Sequence, residues 1–216
     1  MADQDERDAR DRALMAAAAR SGAVMVELVP GRSCGTCIMC CKVYAIRELN
    51  KRAGQMCVHA ERGCGCKIYD NRPDVCRSFY CMWRVDATLG PEWKPETARF
   101  VVALDLLVYN ALKITPDPGR PNAWKKEPYY SAIKGWARKF CPENKKVAVV
   151  DSRGSMIVVL PDREVPVGVV SPDEEIVIYR DGETYGVAVR PRVSVGAPAA
   201  ETASGGQAIM ADGAQK

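Results

Sequence analysis

The last quarter of the chain before its tail is built from short β-branched runs. Val147–Val150, Met156–Leu160, Val165–Val170, Ile176–Tyr179 and Tyr185–Val189 are set apart by Ser152–Arg153–Gly154, Pro161–Asp162 and Asp181–Gly182. Runs of this kind with turn residues between them predict a small antiparallel meander or open barrel. Upstream, Tyr130, Ile133, Trp136, Ala137 and Phe140 recur at three- and four-residue spacing, which predicts an amphipathic helix starting at Pro128 and stopped by Pro142. Arg99–Leu104 and Ala111–Thr115 admit two readings. They pair as strands around Asp105–Asn110, or they belong to one continuous helix, because short apolar runs do not separate the two. Pro116, Pro118, Gly119 and Pro121 end either element.

The ends lack such patterning. Residues 3–20 mix charges of both signs and then turn alanine-rich, with no apolar stripe, and residues 196–216 are Ala, Gly, Ser, Thr and Gln without periodicity. A flexible tail over 1–30 and a disordered tail over 196–216 are expected. Between them the expected organisation is a cysteine-cluster metal-binding domain over 31–145 and a small β-rich region over 146–195. The fold class is α+β: a cysteine-rich, metal-stapled N-terminal region, an amphipathic helix in the middle and a small antiparallel β-rich C-terminal region.

Composition narrows this picture. A chain of 216 residues with 47% hydrophobic residues has room for one medium domain and its core. A net charge of +4 is too small to argue for nucleic acid. Arg120–Lys146 does carry eight Lys/Arg against two Asp/Glu, interleaved with aromatics. A basic solvent face over a buried aromatic face accounts for that, so nucleic acid is not an expected partner. The longest apolar stretch, Phe100–Leu112, is broken by Asp105 and Asn110 and is too short to span a bilayer, so no membrane association is expected. The chain opens acidic and polar, with no apolar signal-peptide core, which places it in the cytoplasm, where thiols stay reduced.

Reduced thiols then become the main chemical signal. Nine of the ten cysteines fall within the 48 residues from Cys34 to Cys81. Cys34, Cys37 and Cys40 repeat a spacing in which a tight turn aims two sulfurs at one metal, and Gly35 eases that turn. Cys41 follows directly. Adjacent side chains tend to point apart, so Cys40 and Cys41 are expected to serve different metal atoms or different edges of one cluster. Four-sulfur ligation needs thiolates from farther along, and Cys57, Cys66, Cys76 and Cys81 are the candidates. Lys42, Lys67, Arg72, Arg77 and Arg84 lie beside the cysteines and can offset thiolate charge. Backbone N–H groups near Gly35, Gly63 and Gly65 can donate to sulfur. Cys64 and the sole histidine, His59, are reserves, and Cys141 reads as an inert buried thiol. Disulfides are disfavoured by the expected compartment and by the adjacent pair.

Pro73 fixes its own backbone angle and holds Arg72 extended, so that a short helix can carry Cys76. Tyr69, Phe79, Tyr80 and Trp83 are placed to pack around a metal, although plain core filling explains them as well.

At these residues the chain resembles the YkgJ-like cysteine-cluster family, a zinc- or iron-chelating domain. Cys34–Cys41 matches its CxxCxxCC motif. Cys66-Lys67-Ile68-Tyr69 followed by Arg72-Pro73-Asp74-Val75-Cys76-Arg77-Ser78-Phe79-Tyr80-Cys81 looks like its second signature. The match spans residues 33–84. The resemblance implies metal chelation by Cys34, Cys37, Cys40, Cys41, Cys57, Cys66, Cys76 and Cys81, with zinc or iron bound, the iron singly or as an iron–sulfur cluster.

The expected function is therefore a cytoplasmic metal-binding protein with a metal ion and an unidentified protein as partners. Two alternatives stand beside it. One is an iron–sulfur protein for electron transfer or redox sensing. The other is an enzyme related to protein (flagellin lysine) N-methylation, since a flagellin lysine N-methylase shares the family domain. No Walker loop, dinucleotide fingerprint, nucleophile elbow or HExxH is present, and no catalytic residue is assigned.

Overall fold

The computed structural model of the chain describes residues 26–105 and 110–192. Residues 1–25 and 196–216, where most of the two expected tails lie, are outside the described residues, as are 106–109 and 193–195. The end of the expected first tail is tied down: the Val29 N–H donates to the Arg84 carbonyl at 2.8 Å.

The cysteine-rich half is made of short pieces. Helix α1 (Met39–Val43) is followed by a two-residue ladder, β1 (Ala60–Glu61) with β2 (Gly65–Cys66). Helices α2 (Asp74–Arg77), α3 (Met82–Val85) and α4 (Pro95–Ala98) come next, each a single turn. Segments this short are marginal alone and depend on tertiary contacts. Arg32 supplies some of these. Its guanidinium donates to the carbonyls of Trp83 (2.6 Å), Asp86 (2.9 Å) and Leu89 (2.7 Å).

Strands β3 (Phe100–Asp105) and β4 (Ala111–Pro116) pair antiparallel, Phe100 opposite Pro116 and Asp105 opposite Ala111. Of the two sequence readings, the strand pair is the one realised. Helix α5 (Tyr129–Phe140) follows and buries Ile133 and Ala137, as its spacing predicts. Lys134 is also buried, with its ammonium donating to the Leu160 carbonyl at 2.8 Å. Strands β5 (Lys146–Val150), β6 (Ser155–Val159) and β7 (Glu164–Val169) form the expected meander. Strands β8 (Glu174–Asp181) and β9 (Thr184–Pro191) make a separate hairpin, attached through Ile178 N–H to Asn144 Oδ1 at 2.9 Å.

The α+β class holds, but the two regions are not separate sheets. A single five-stranded sheet runs β3-β4-β5-β6-β7, so the boundary expected at 145/146 falls inside it. The joint is a parallel pairing of β4 with β5, Ala111 opposite Lys146. A parallel neighbour requires a crossover, and α5 is carried on it. The run Phe100–Ala103 is buried throughout because β3 is covered on both faces. Phe100, Val102 and Ile114 join the main core with Trp124 and Ile133, whereas Val101 packs with Met39 and Val43 of α1. The sheet thus stands between the α5 core and the cysteine-rich pieces.

Candidate functional site

All eight cysteines that the family resemblance implicates line one cavity of about 380 Å³. Each arrives by a different local route. The Cys37 N–H donates to the Cys34 carbonyl at 2.8 Å, closing the expected turn, and Gly35 within it has a positive φ of 51°. Cys40 and Cys41 ride on α1. Cys57 is docked by its N–H on the Cys41 carbonyl at 3.0 Å. Cys66 lies on β2, opposite Ala60. Arg72 is extended (φ −66°, ψ 151°), Pro73 caps α2, and Cys76 sits in that turn, as the Arg-Pro pair predicts. Cys81 precedes α3.

The reserves are elsewhere. Cys64 is exposed at the β1–β2 turn, and neither it nor His59 lines the cavity. Cys141 is buried in the main core, where burial pushes its thiol up to about 11. All ten cysteines are free thiols.

The electrostatics of the cavity favour neutral thiols at most positions. Burial pushes Cys37 up to about 12 and Cys81 up to about 11, and it also raises Cys66 and Cys76. Hydrogen bonding with Cys41, together with burial, pushes Cys40 well up. That hydrogen bond, helped by the Lys51 and Arg72 charges, holds Cys41 down at about 7.

The cations sort differently from their order in the sequence. Lys42 pairs with Asp117 at 2.5 Å, Lys67 with Glu61 at 2.7 Å, and Arg77 with Asp74 at 3.8 Å. Arg72 and Arg84 do line the cavity, and the buried Arg84 places Nη1 3.8 Å from Cys34 Sγ. Lys51 was not among the expected cations. It is buried behind α1, and its ammonium donates to the carbonyls of Lys42 and Tyr44. No sequence signal marks its burial, which follows from a backbone bridge between Ile46 and Lys51. Lys94 and Lys113 also line the cavity, paired with Glu96 (2.6 Å) and Asp105 (2.7 Å).

Of the four aromatics singled out in the sequence, Tyr69, Phe79 and Trp83 line the cavity. Tyr80 lies instead under Arg84, 5.4 Å from the guanidinium. Tyr44, which the sequence did not mark, stacks edge-on to Phe79 with ring centroids 5.0 Å apart.

As a donor set the cavity is all sulfur, which suits thiophilic metals such as zinc and iron. The side chains as they stand do not converge. Among the described residues no three His, Cys, Asp or Glu side chains are gathered closely enough to hold one metal ion. Neutral thiols repel less than thiolates but gain nothing from clustering, so convergence requires deprotonation and rotation of the cysteines. Among the described residues no helix is long and apolar enough to cross a membrane. Comparison of the chain with protein-family models, curated proteins and solved structures returned no match.

Proposed function

We propose that this chain is a thiolate metal-binding protein of a reducing compartment, holding zinc or iron, the latter singly or as an iron–sulfur cluster. The observation that carries this reading is selective. Eight cysteines scattered over 48 residues share one cavity, while Cys64 and Cys141, equally thiols, are left out of it. Packing alone has no reason to collect those eight. The resemblance to the YkgJ-like cysteine-cluster family, which rests on the same eight positions, supports the reading further. So does buried positive charge at the cavity, since Arg84 lines it and its guanidinium reaches Cys34 Sγ.

In this reading Cys34, Cys37, Cys40, Cys41, Cys57, Cys66, Cys76 and Cys81 are the ligands. A bound metal would link segments that have little core of their own, as in other small metal-stabilised folds. Metal and sulfide analysis of anaerobically purified protein tests the proposal. Stoichiometric zinc in colourless protein identifies a zinc centre. Brown protein with acid-labile sulfide and visible absorbance that dithionite bleaches identifies an iron–sulfur centre. Protein that retains neither metal, and takes up neither after reduction, overturns the proposal.

A further inference from the structure

Away from the thiols, we infer that a groove at the start of α5 is a binding site for a phosphate group, free or carried by a small molecule, held by Arg99, Arg120 and Lys126.

The groove is a cavity of about 440 Å³ and shares no residue with the thiol cavity. Arg99 enters it from the end of α4, Arg120, Asn122, Lys126 and Glu127 from the loop after β4, and Tyr129 from the first turn of α5. Small-molecule sites span roughly 300–1,000 Å³, so the space suits a ligand of modest size.

The walls are pinned by the fold. The Arg120 N–H donates to the Asp117 carbonyl at 2.7 Å, the Ala123 N–H donates to the Arg120 carbonyl at 3.0 Å, and Trp124 is buried in the main core. The Tyr129 hydroxyl donates to the Glu92 carbonyl at 3.0 Å, and its ring packs edge-on against Trp93 and Phe100. On the opposite wall the Asp117 N–H donates to the Arg99 carbonyl at 2.8 Å, which ties the end of α4 to the end of β4. A ligand meets backbone that is already in place, so little ordering opposes its binding.

Charge distinguishes this groove from the rest of the basic segment. Among the described residues, the side chains of Arg99, Arg120 and Lys126 enter no ion pair and no hydrogen bond, whereas the neighbouring Lys125 is paired with Glu164 at 2.6 Å. Asp117 feels the Arg99 charge, but its Oδ1 is held by Lys42 at 2.5 Å and by the Gly119 N–H at 2.9 Å. Glu127 is the one carboxylate on the wall, and it accepts from Ser131 Oγ at 2.9 Å. Three cations against one carboxylate leave a surplus of two positive charges. A phosphate monoester carries about −1.5 to −2 at pH 7, which matches that surplus, and two guanidinium forks fit phosphate oxygens better than point charges do. The N-terminus of α5 adds to the field, since it has no side-chain cap and no acidic residue in its first turn.

Arg99 also stands against its backbone preference. Its φ of 66° lies in the left-handed region, which Gly or Asn adopts more easily. An arginine is kept there although its side chain has no polar partner among the described residues. Strain of this kind persists where a side chain serves a ligand.

Calorimetric titration of the full-length chain with inorganic phosphate, and separately with phenyl phosphate, tests the inference. One probe molecule should bind per chain, saturably. Arg120→Gln should weaken binding by about 10-fold to 100-fold, the loss of a hydrogen bond to a charged group. Arg99→Asn should do the same without lowering the melting temperature, because Asn accepts the left-handed backbone. Lys125→Gln removes a cation outside the groove and should leave the affinity unchanged. Tighter binding of phenyl phosphate assigns the site to a phosphate ester, and equal or tighter binding of inorganic phosphate assigns it to the free ion; both uphold it. Failure of the wild-type chain to bind either probe overturns the inference. So does an unchanged affinity in Arg120→Gln, or equal weakening by Arg120→Gln and Lys125→Gln.

Discussion

Gly65 lies against the carbonyl of Gly35 so closely that a Cβ placed on it would stand 2.3 Å from the Gly35 oxygen. This contact joins the β2 strand that carries Cys66 to the turn that carries Cys34 and Cys37. Both glycines have positive φ, 92° and 51°. Gly65→Ala therefore strains its own backbone and pushes against backbone that cannot rotate away. The expected loss is about 2–4 kcal/mol, from the steric clash together with the φ penalty. Gly63→Ala is the control. It has a comparable φ of 80° but open space around it, so only the conformational loss of about 1–2 kcal/mol applies. Equal urea midpoints for the two variants would show that the Gly65–Gly35 contact is not a constraint.

The Lys42–Asp117 pair ties α1 to the end of β4. Burial opposes charge on Asp117, but the Lys42 ammonium at 2.5 Å and the Gly119 N–H at 2.9 Å outweigh it and hold the carboxyl below its ordinary range. A depressed carboxylate stabilises the fold above its unfolded pKa, about 4, and that contribution is lost as pH falls through the folded value. Asp117→Asn should therefore melt below wild type at pH 7, with the two curves converging below about pH 4. A constant offset between pH 7 and pH 3 would contradict this assignment.

Phe100 is fully buried between Trp93 and Tyr129, with ring centroids 5.9 and 5.0 Å away. Phe100→Ala leaves a cavity in the main core and should cost about 3–5 kcal/mol. Because Val101, the next residue on β3, faces the thiol cavity, metal retention in this variant should fall together with stability in denaturant titrations.

The cysteines outside the cavity supply an internal control. Cys64→Ser replaces an exposed thiol and should change stability by no more than about 0.5 kcal/mol while leaving metal content intact. Cys141→Ser buries a hydroxyl in the apolar core and should cost about 1–3 kcal/mol, again with metal content unchanged. Cys37→Ser should reduce metal content. Loss of metal from the Cys64 variant, as measured by elemental analysis, would reassign the ligand set.

Much of this organisation was legible along the chain. The β-branched runs after residue 146 became β5 to β9 because a strand needs only local pattern and turn residues to be recognised. The helix from Tyr129 to Phe140 carried its own periodicity. The two cysteine blocks were visible by spacing, and so was the exclusion of Cys141. Less local features were not. The choice between strand pair and helix over residues 99–115 waited on β5, whose parallel pairing with β4 completes the sheet. Lys42, Lys67 and Arg77 look like thiolate partners in sequence, yet each turns to a carboxylate.

By itself the sequence determined the clustering of thiols in one stretch, the turn that brings Cys34 to Cys37, the extended Arg72 before α2, and most of the secondary structure. These depend on residue type and on neighbours a few positions away. Only the tertiary structure decided that eight thiols from separate segments share one cavity, and that Lys51 rather than Lys42 is buried behind α1. Those outcomes depend on how short, individually marginal elements pack on the far face of β3, and burial and approach distance are properties of the assembled chain alone.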